Sequence, residues 1–183
     1  MLINQHKPIQ TVIYILPHGI QFATQEFMRE NYVNGWLLAI NKSYDANSSN
    51  KLKTYASFKT EFQMEKYVSA HKISKRFNFS KLRISDHHLA IETDRYKRPM
   101  PPRELRFCTN CTLNVVGDEQ HFLLNCAQFS QERKELFDHL EKTFGITNNN
   151  DDYTFRTLMN YDYGHSEFST QICKFINSCS HAI

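Results

Sequence analysis

Cys108-Thr109-Asn110-Cys111, nine further residues to His121, and four more to Cys126: this stretch decides how the chain is read. It holds three of the five cysteines. Zinc takes about four nitrogen or sulfur ligands at tetrahedral angles, and a site closed by four protein ligands has no open position for a substrate. Two thiols three residues apart lie on one tight turn and supply half of a tetrahedron. His121 and Cys126 are separated by about 140° on an ideal helix, so the two would face apart if both were helical. One of them, Cys126, must therefore lie where the helical turn has ended. Asn114, Gly117 and Asp118 are turn formers suited to bringing the two halves together. The expectation is one structural Zn2+ held by Cys108, Cys111, His121 and Cys126, and ordering residues 106–127, since small metal sites couple binding to folding.

Immediately upstream the charge is uneven. Lys66 to Arg106 carries eleven Lys/Arg against four Asp/Glu, a local charge of +7. The rest of the chain has eleven Lys/Arg against fifteen Asp/Glu, and the formal total is +3. Lys72, Lys75, Arg76, Lys81 and Arg83 fall on neighbouring turns of a helical stretch, the kind of stripe that phosphate neutralisation needs. Next comes Arg95-Tyr96-Lys97-Arg98-Pro99-Met100-Pro101-Pro102-Arg103. Its prolines exclude continued helix, because each lacks an N–H and biases its predecessor toward extended backbone. The stretch reads as a stiff basic connector over 95–105, in which Tyr96 can stack on a base while Arg95, Lys97, Arg98 and Arg103 meet phosphates.

Farther out the pattern is helical. Residues 1–22 read as an extended N-terminal arm, and 23–94 as a helical region. Within it, a helix capped by Thr24 places Phe27, Val33, Trp36, Leu37 and Ile40 near one stripe. A second helix over 50–62 buries Leu52, Tyr55, Phe58 and Phe62, and residues 64–92 bury Ile73, Phe77, Leu82 and Leu89. Residues 128–183 read as C-terminal helices. Ser130 caps one with Leu136, Phe137, Leu140 and Phe144 on a stripe and Gly145 as its stop. Others follow near Asp152–Asn160 and from Ser166, where Phe168, Ile172, Phe175, Ile176 and Cys179 keep helical spacing. Cys173 and Cys179 read as packing residues. Five glycines in 183 residues argue against a turn-rich all-β fold. The expected fold is mostly α, a small helical domain with a single-zinc CCHC knuckle-like module and flanking C-terminal helices.

No apolar run approaches the ~20 residues of a membrane span, and Ile9–Leu16 lacks the basic start and cleavage site of a signal peptide. The expected location is intracellular, nucleus or cytoplasm, and not secreted. In that reducing setting spaced Cys and His point to metal before disulfides. No catalytic residue is expected. Asp86-His87-His88 spells a phosphoesterase tripeptide but lacks the further acidic and His clusters that two metals require.

Lys51-Leu52-x-x-Tyr55-x-x-Phe58-Lys59, Lys81-Leu82-Arg83-Ile84-Ser85, Leu89-Ala90-Ile91-Glu92-Thr93-x-Arg95-Tyr96, Pro101-x-Arg103 and Glu119-x-His121-Phe122-Leu123-Leu124-x-Cys126 occur in that order. Together with Cys108-x-x-Cys111 the string resembles the region C-terminal to the polymerase in non-LTR (LINE-like) retrotransposon reverse transcriptases, including its CCHC zinc-binding motif. The resemblance covers about half of the chain. It implies a nucleic-acid-binding tail of a polyprotein that engages RNA or DNA, with the upstream polymerase portion of the element as a further partner. The zinc ligands it implies are the same four residues. Asp94 departs from it, since the family pattern has glycine before Arg-Tyr. No aromatic-x-Asp-Asp polymerase motif is present, so no enzyme activity is expected. The second class of reading is a structural or protein-interaction helical zinc domain, or an inactive element remnant.

Overall fold

The computed structural model describes residues 17–43, 51–160 and 166–182. It is mostly helical: α1 (Pro17–Ser43), α2 (Lys53–Phe58), α3 (Lys66–Ala70), α4 (Ile73–Arg83), α5 (Ala90–Thr93), α6 (Glu119–Leu124), α7 (Ser130–Phe144), α8 (Asp152–Asn160) and α9 (Ser166–Ser178). Among the described residues there is no strand, only an isolated antiparallel bridge between Phe107 and Val116. No helix among them is long and apolar enough to cross a membrane.

The chain divides into two compact units, 1–39 and 40–183. The described part of the first is the body of α1. The helix begins at Pro17, not near Thr24, so residues 17–22 are helical and not part of an extended arm. Proline suits a first helical position, where its missing N–H has no intrahelical partner to lose. The rest of the arm, residues 1–16, lies outside the described residues. Phe27, Met28, Tyr32 and Leu38 are exposed, and Val33 and Trp36 are half-buried.

The second unit is built on α4, α7 and α9. α9 packs against both α4 and α7. Its buried stripe is Phe168, Ile172, Phe175, Ile176 and Cys179, as the helical spacing predicts, with Cys173 also buried. α7 contributes Leu136, Phe137 and Leu140, and ends at Gly145 in the left-handed conformation (φ 67°), whose N–H donates to Glu141 O at 2.9 Å. Ser130 is the first residue of α7 and its side chain makes no cap, because a 3-10 turn, Ala127–Phe129, leads straight into the helix. Asp151 caps α8 by accepting from the Thr154 N–H at 2.7 Å.

α4 is rotated relative to the expected register. Phe79 and Leu82 face the core, whereas Ile73 and Phe77 are 70% and 55% exposed. The cause is Arg83, which is fully buried and takes the inward position one turn after Phe79. Its guanidinium carbon lies 4.6 Å from the ring centroid of Phe58, 5.3 Å from Tyr67 and 5.5 Å from Phe79. Nη2 is 2.8 Å from Glu65 Oε2, too poorly aligned to count as a hydrogen bond. The cation is therefore held by a carboxylate charge and three ring faces, an arrangement that strengthens as water is removed. Glu65 also receives the Lys59 ammonium at 3.1 Å. α2 stops at Phe58, and the turn through Lys59 leaves Phe62 exposed.

Arg83→Ala should cost about 3 kcal/mol or more, since it leaves a cavity inside the ring cage and removes one of the two cations held at Glu65. Arg83→Met keeps the volume and should cost less. Urea unfolding of the metal-loaded chain checks the order.

Candidate metal centre

Residues 106–117 form a short hairpin. Cys108 N–H donates to Val115 O at 2.8 Å, and Gly117 N–H donates to Arg106 O at 2.9 Å. Asn114 takes the left-handed conformation (φ 51°), which asparagine tolerates better than most residues. Gly117 is required by space: a Cβ there would lie 2.7 Å from Cys108 Cα and 3.1 Å from Ala90 Cβ. The hairpin then enters α6, where the Asp118 carboxylate accepts the His121 N–H at 2.9 Å and caps the helix. α6 is short. It ends at Leu124, and Cys126 is extended (φ −61°, ψ 122°), so its thiol turns back toward His121.

All four ligand atoms lie within 4.8 Å of one another. Cys108 Sγ to Cys126 Sγ is 3.9 Å, and Cys111 Sγ to His121 Nε2 is 3.3 Å. Bonds of about 2.3 Å to sulfur and about 2.0 Å to nitrogen, at tetrahedral angles, place ligand atoms roughly 3.5 to 3.8 Å apart. The four side chains could therefore hold one metal ion, with every ligand position filled from the protein. The Asn110 N–H donates to Cys108 Sγ at 3.4 Å.

The surroundings set the protonation of the ligands. Burial opposes ionisation of Cys111, but the Leu113 amide and the neighbouring thiols hold its pKa below the ordinary value. Burial pushes Cys126 up to about 12, reinforced by the charges of Cys108 and Cys111. Burial lowers His121, against the pull of Asp118, which favours the neutral imidazole that a metal needs.

Arg133, on α7, was not legible in the sequence as part of this centre. It is buried and donates from Nε to Leu123 O at 3.0 Å, and from Nη2 to Phe122 O at 3.2 Å and Cys126 O at 2.6 Å. Phe122 O and Leu123 O are carbonyls that a helix ending at Leu124 leaves without intrahelical partners, whereas Cys126 O lies past the helix and also accepts the Phe129 N–H at 3.2 Å. Arg106 does comparable work at the entry, donating from Nη1 to Ile91 O at 2.9 Å and from Nε to Pro101 O at 3.2 Å. Behind α6, the buried Glu119 carboxylate accepts from Thr54 Oγ1 at 3.0 Å and Ser85 Oγ at 2.8 Å, and meets His87 Nε2 at 3.0 Å. His87 therefore belongs to the packing of α6.

The expected nucleic-acid contacts divide sharply. Arg83 is a correction: it is fully buried in the ring cage and has no surface to offer a phosphate. Lys72 and Lys75 are exposed; Arg76 is half-buried, its Nε donating to His71 O at 3.0 Å. Lys81 is half-buried and sits 5.7 Å over the Phe77 ring. In the connector, Arg95 Nη1 bonds both oxygens of Glu92 (3.1 and 3.2 Å), and Lys97 is 2.6 Å from Asp94. Tyr96 is 72% exposed, and Arg98 is exposed beside it. Arg103 is half-buried, 3.8 Å from Asp118. Asp94 has φ −70°, so the residue before Arg95-Tyr96 needs no glycine.

Comparison with protein-family models, with curated proteins and with solved structures finds no match.

Two outcomes follow from this geometry. Gly117→Ala should weaken metal binding at least tenfold, read by chelator competition, because its methyl meets backbone and not a yielding side chain. Metal affinity should rise with pH through the neutral range, because binding must displace the Cys126 proton. Chelator competition across pH measures it.

Proposed function

We propose that the chain is a zinc-stabilised nucleic-acid-binding module, similar to the tail of a LINE-like reverse transcriptase. Three thiolates and an imidazole in a closed tetrahedral arrangement suit Zn2+ chemically, and the ion acts as a staple with a knuckle-like hairpin around it. The observation that carries the binding reading is the set of cations left over after the ion pairs are assigned. Lys72, Lys75 and Arg98 are exposed without a carboxylate beside them, and Tyr96 offers an open ring next to Arg98. Cations with an exposed aromatic serve both phosphates and base faces. No catalytic role is assigned to any residue.

A second reading, a helical zinc domain that docks another protein, is favoured by the exposed apolar side chains of Ile73 and Phe77 on α4 and of Ile84 just past its end. A protein partner found by native mass measurement, with no affinity for nucleic acid, would select it.

Affinity for RNA or DNA should fall steeply with salt, by about 0.9 log unit per log unit of salt for each phosphate contacted on duplex DNA. Charge reversal at Lys72, Lys75 and Arg98 together should weaken binding more than reversal at Arg95 and Lys97, which are already engaged by Glu92 and Asp94. Unchanged affinity in the first triple variant, measured at low salt, would overturn the reading. Metal analysis should find one zinc per chain, and chelation should unfold residues 106–127, seen by circular dichroism.

A further inference from the structure

Arg103 belongs to two features at once. It lies in the basic connector, and it also lines a cavity of about 170 Å3 whose walls come from α2, α6 and α8. α2 and α6 each pack against α8, so the cavity is a product of the tertiary fold. Lys53 on α2 and Arg156 on α8 line the same space, more than 100 residues apart in sequence. Both are exposed, and neither side chain has an ion-pair or hydrogen-bond partner among the described residues.

The acids around the cavity are mostly engaged elsewhere. Glu119 turns both oxygens to Thr54, Ser85 and His87. Asp118 accepts from the His121 N–H through Oδ1 and faces Arg103 through Oδ2. Asp152 alone is left against Lys53 and Arg156. The lining carries three cations and three carboxylates, and Lys53 and Arg156 are the two cations with no carboxylate paired to them, in a concave setting where field lines concentrate.

We propose that this cavity is a phosphate site, and that it seats a backbone phosphate of a bound nucleic-acid strand between Lys53, Arg103 and Arg156. Guanidinium forks match phosphate oxygens, and the lysine adds a compact charge. One wall, Asp118 to Gln120, leads directly into the metal ligand His121, so the metal that orders α6 also shapes the site. The strand as the source of the phosphate rests on the nucleic-acid reading above; the phosphate chemistry of the cavity does not.

The test uses the zinc-loaded full chain in two arms. In the first, inorganic phosphate is titrated at constant ionic strength and amide shifts are followed by NMR. Thr54, Gln120 and Arg156 should move, and the Lys53→Glu/Arg156→Glu double variant should lose that response. In the second, affinity for a single-stranded oligonucleotide is measured against salt for wild type, for the double variant, and for Lys53→Gln/Arg156→Gln. Both variants should retain one zinc per chain. The glutamine pair should lower the salt slope by about 1.4, the loss of two contacts at about 0.7 each on a single strand. The glutamate pair should bind about tenfold more weakly at low salt. Wild-type binding with an unchanged slope in the variants overturns the site while the nucleic-acid function stands. If wild type binds no oligonucleotide, that function fails and the phosphate arm decides. Shifts at the three amides then support a site for free phosphate, and their absence overturns it.

Discussion

The guanidinium of Arg133 permits the change of direction on which the metal centre depends. A four-ligand site needs His121 on a helix and Cys126 off it, five residues later, so α6 has to end abruptly in the interior. An abrupt buried helix end leaves carbonyls without partners, and each would cost free energy comparable to a lost hydrogen bond. Arg133 reaches from α7 and takes Phe122 O, Leu123 O and Cys126 O together. Its charge also opposes that of the Cys126 sulfur. One buried side chain thus satisfies the helix end, fixes the last ligand and ties the metal hairpin to the C-terminal helices.

The same logic of compensation runs through the unit. Asp118 caps the start of α6, Arg106 holds the connector against Ile91 O and Pro101 O, and the hydroxyls and imidazole around Glu119 satisfy a carboxylate that is fully enclosed. Phe122 continues the connection into the core, 5.1 Å from Phe129 and 5.6 Å from Phe175 between ring centroids. The metal hairpin is consequently one face of the helical core and not an appended knuckle. With every ligand position filled from the protein, such a cluster has no open position for a substrate.

Those cations are not equivalent, although the sequence presents them as one run. Burial and pairing sort them: Arg83 becomes a core residue, Arg95 and Lys97 answer local carboxylates, and Lys72, Lys75 and Arg98 stay uncommitted. Counting charges along a chain overstates an electrostatic surface, because an ion pair inside the fold cancels what the tally adds. Conversely Lys53 and Arg156, which no local pattern singles out, meet at one cavity because α2 and α8 pack together.

The clustering of Cys108, Cys111, His121 and Cys126 where one metal ion could be held, the helical class, the α9 stripe and the Gly145 stop were all legible in the sequence, because each rests on local spacing. The 140° conflict likewise required one of His121 and Cys126 to leave the helix, and in the fold it is Cys126. What spacing could not reach was the choice between faces of α4. Phe77 and Phe79 are equally apolar, and only the pairing of Arg83 with Glu65 and three rings turned the helix. Arg133, Arg106 and the fit of Gly117 against Cys108 were invisible for the same reason. Hydrogen bonds to backbone carbonyls and backbone-to-backbone contact leave no signature in residue order. Local chemistry is written in the sequence; which charges are buried, and which are left for a ligand, is decided by packing between segments far apart in it.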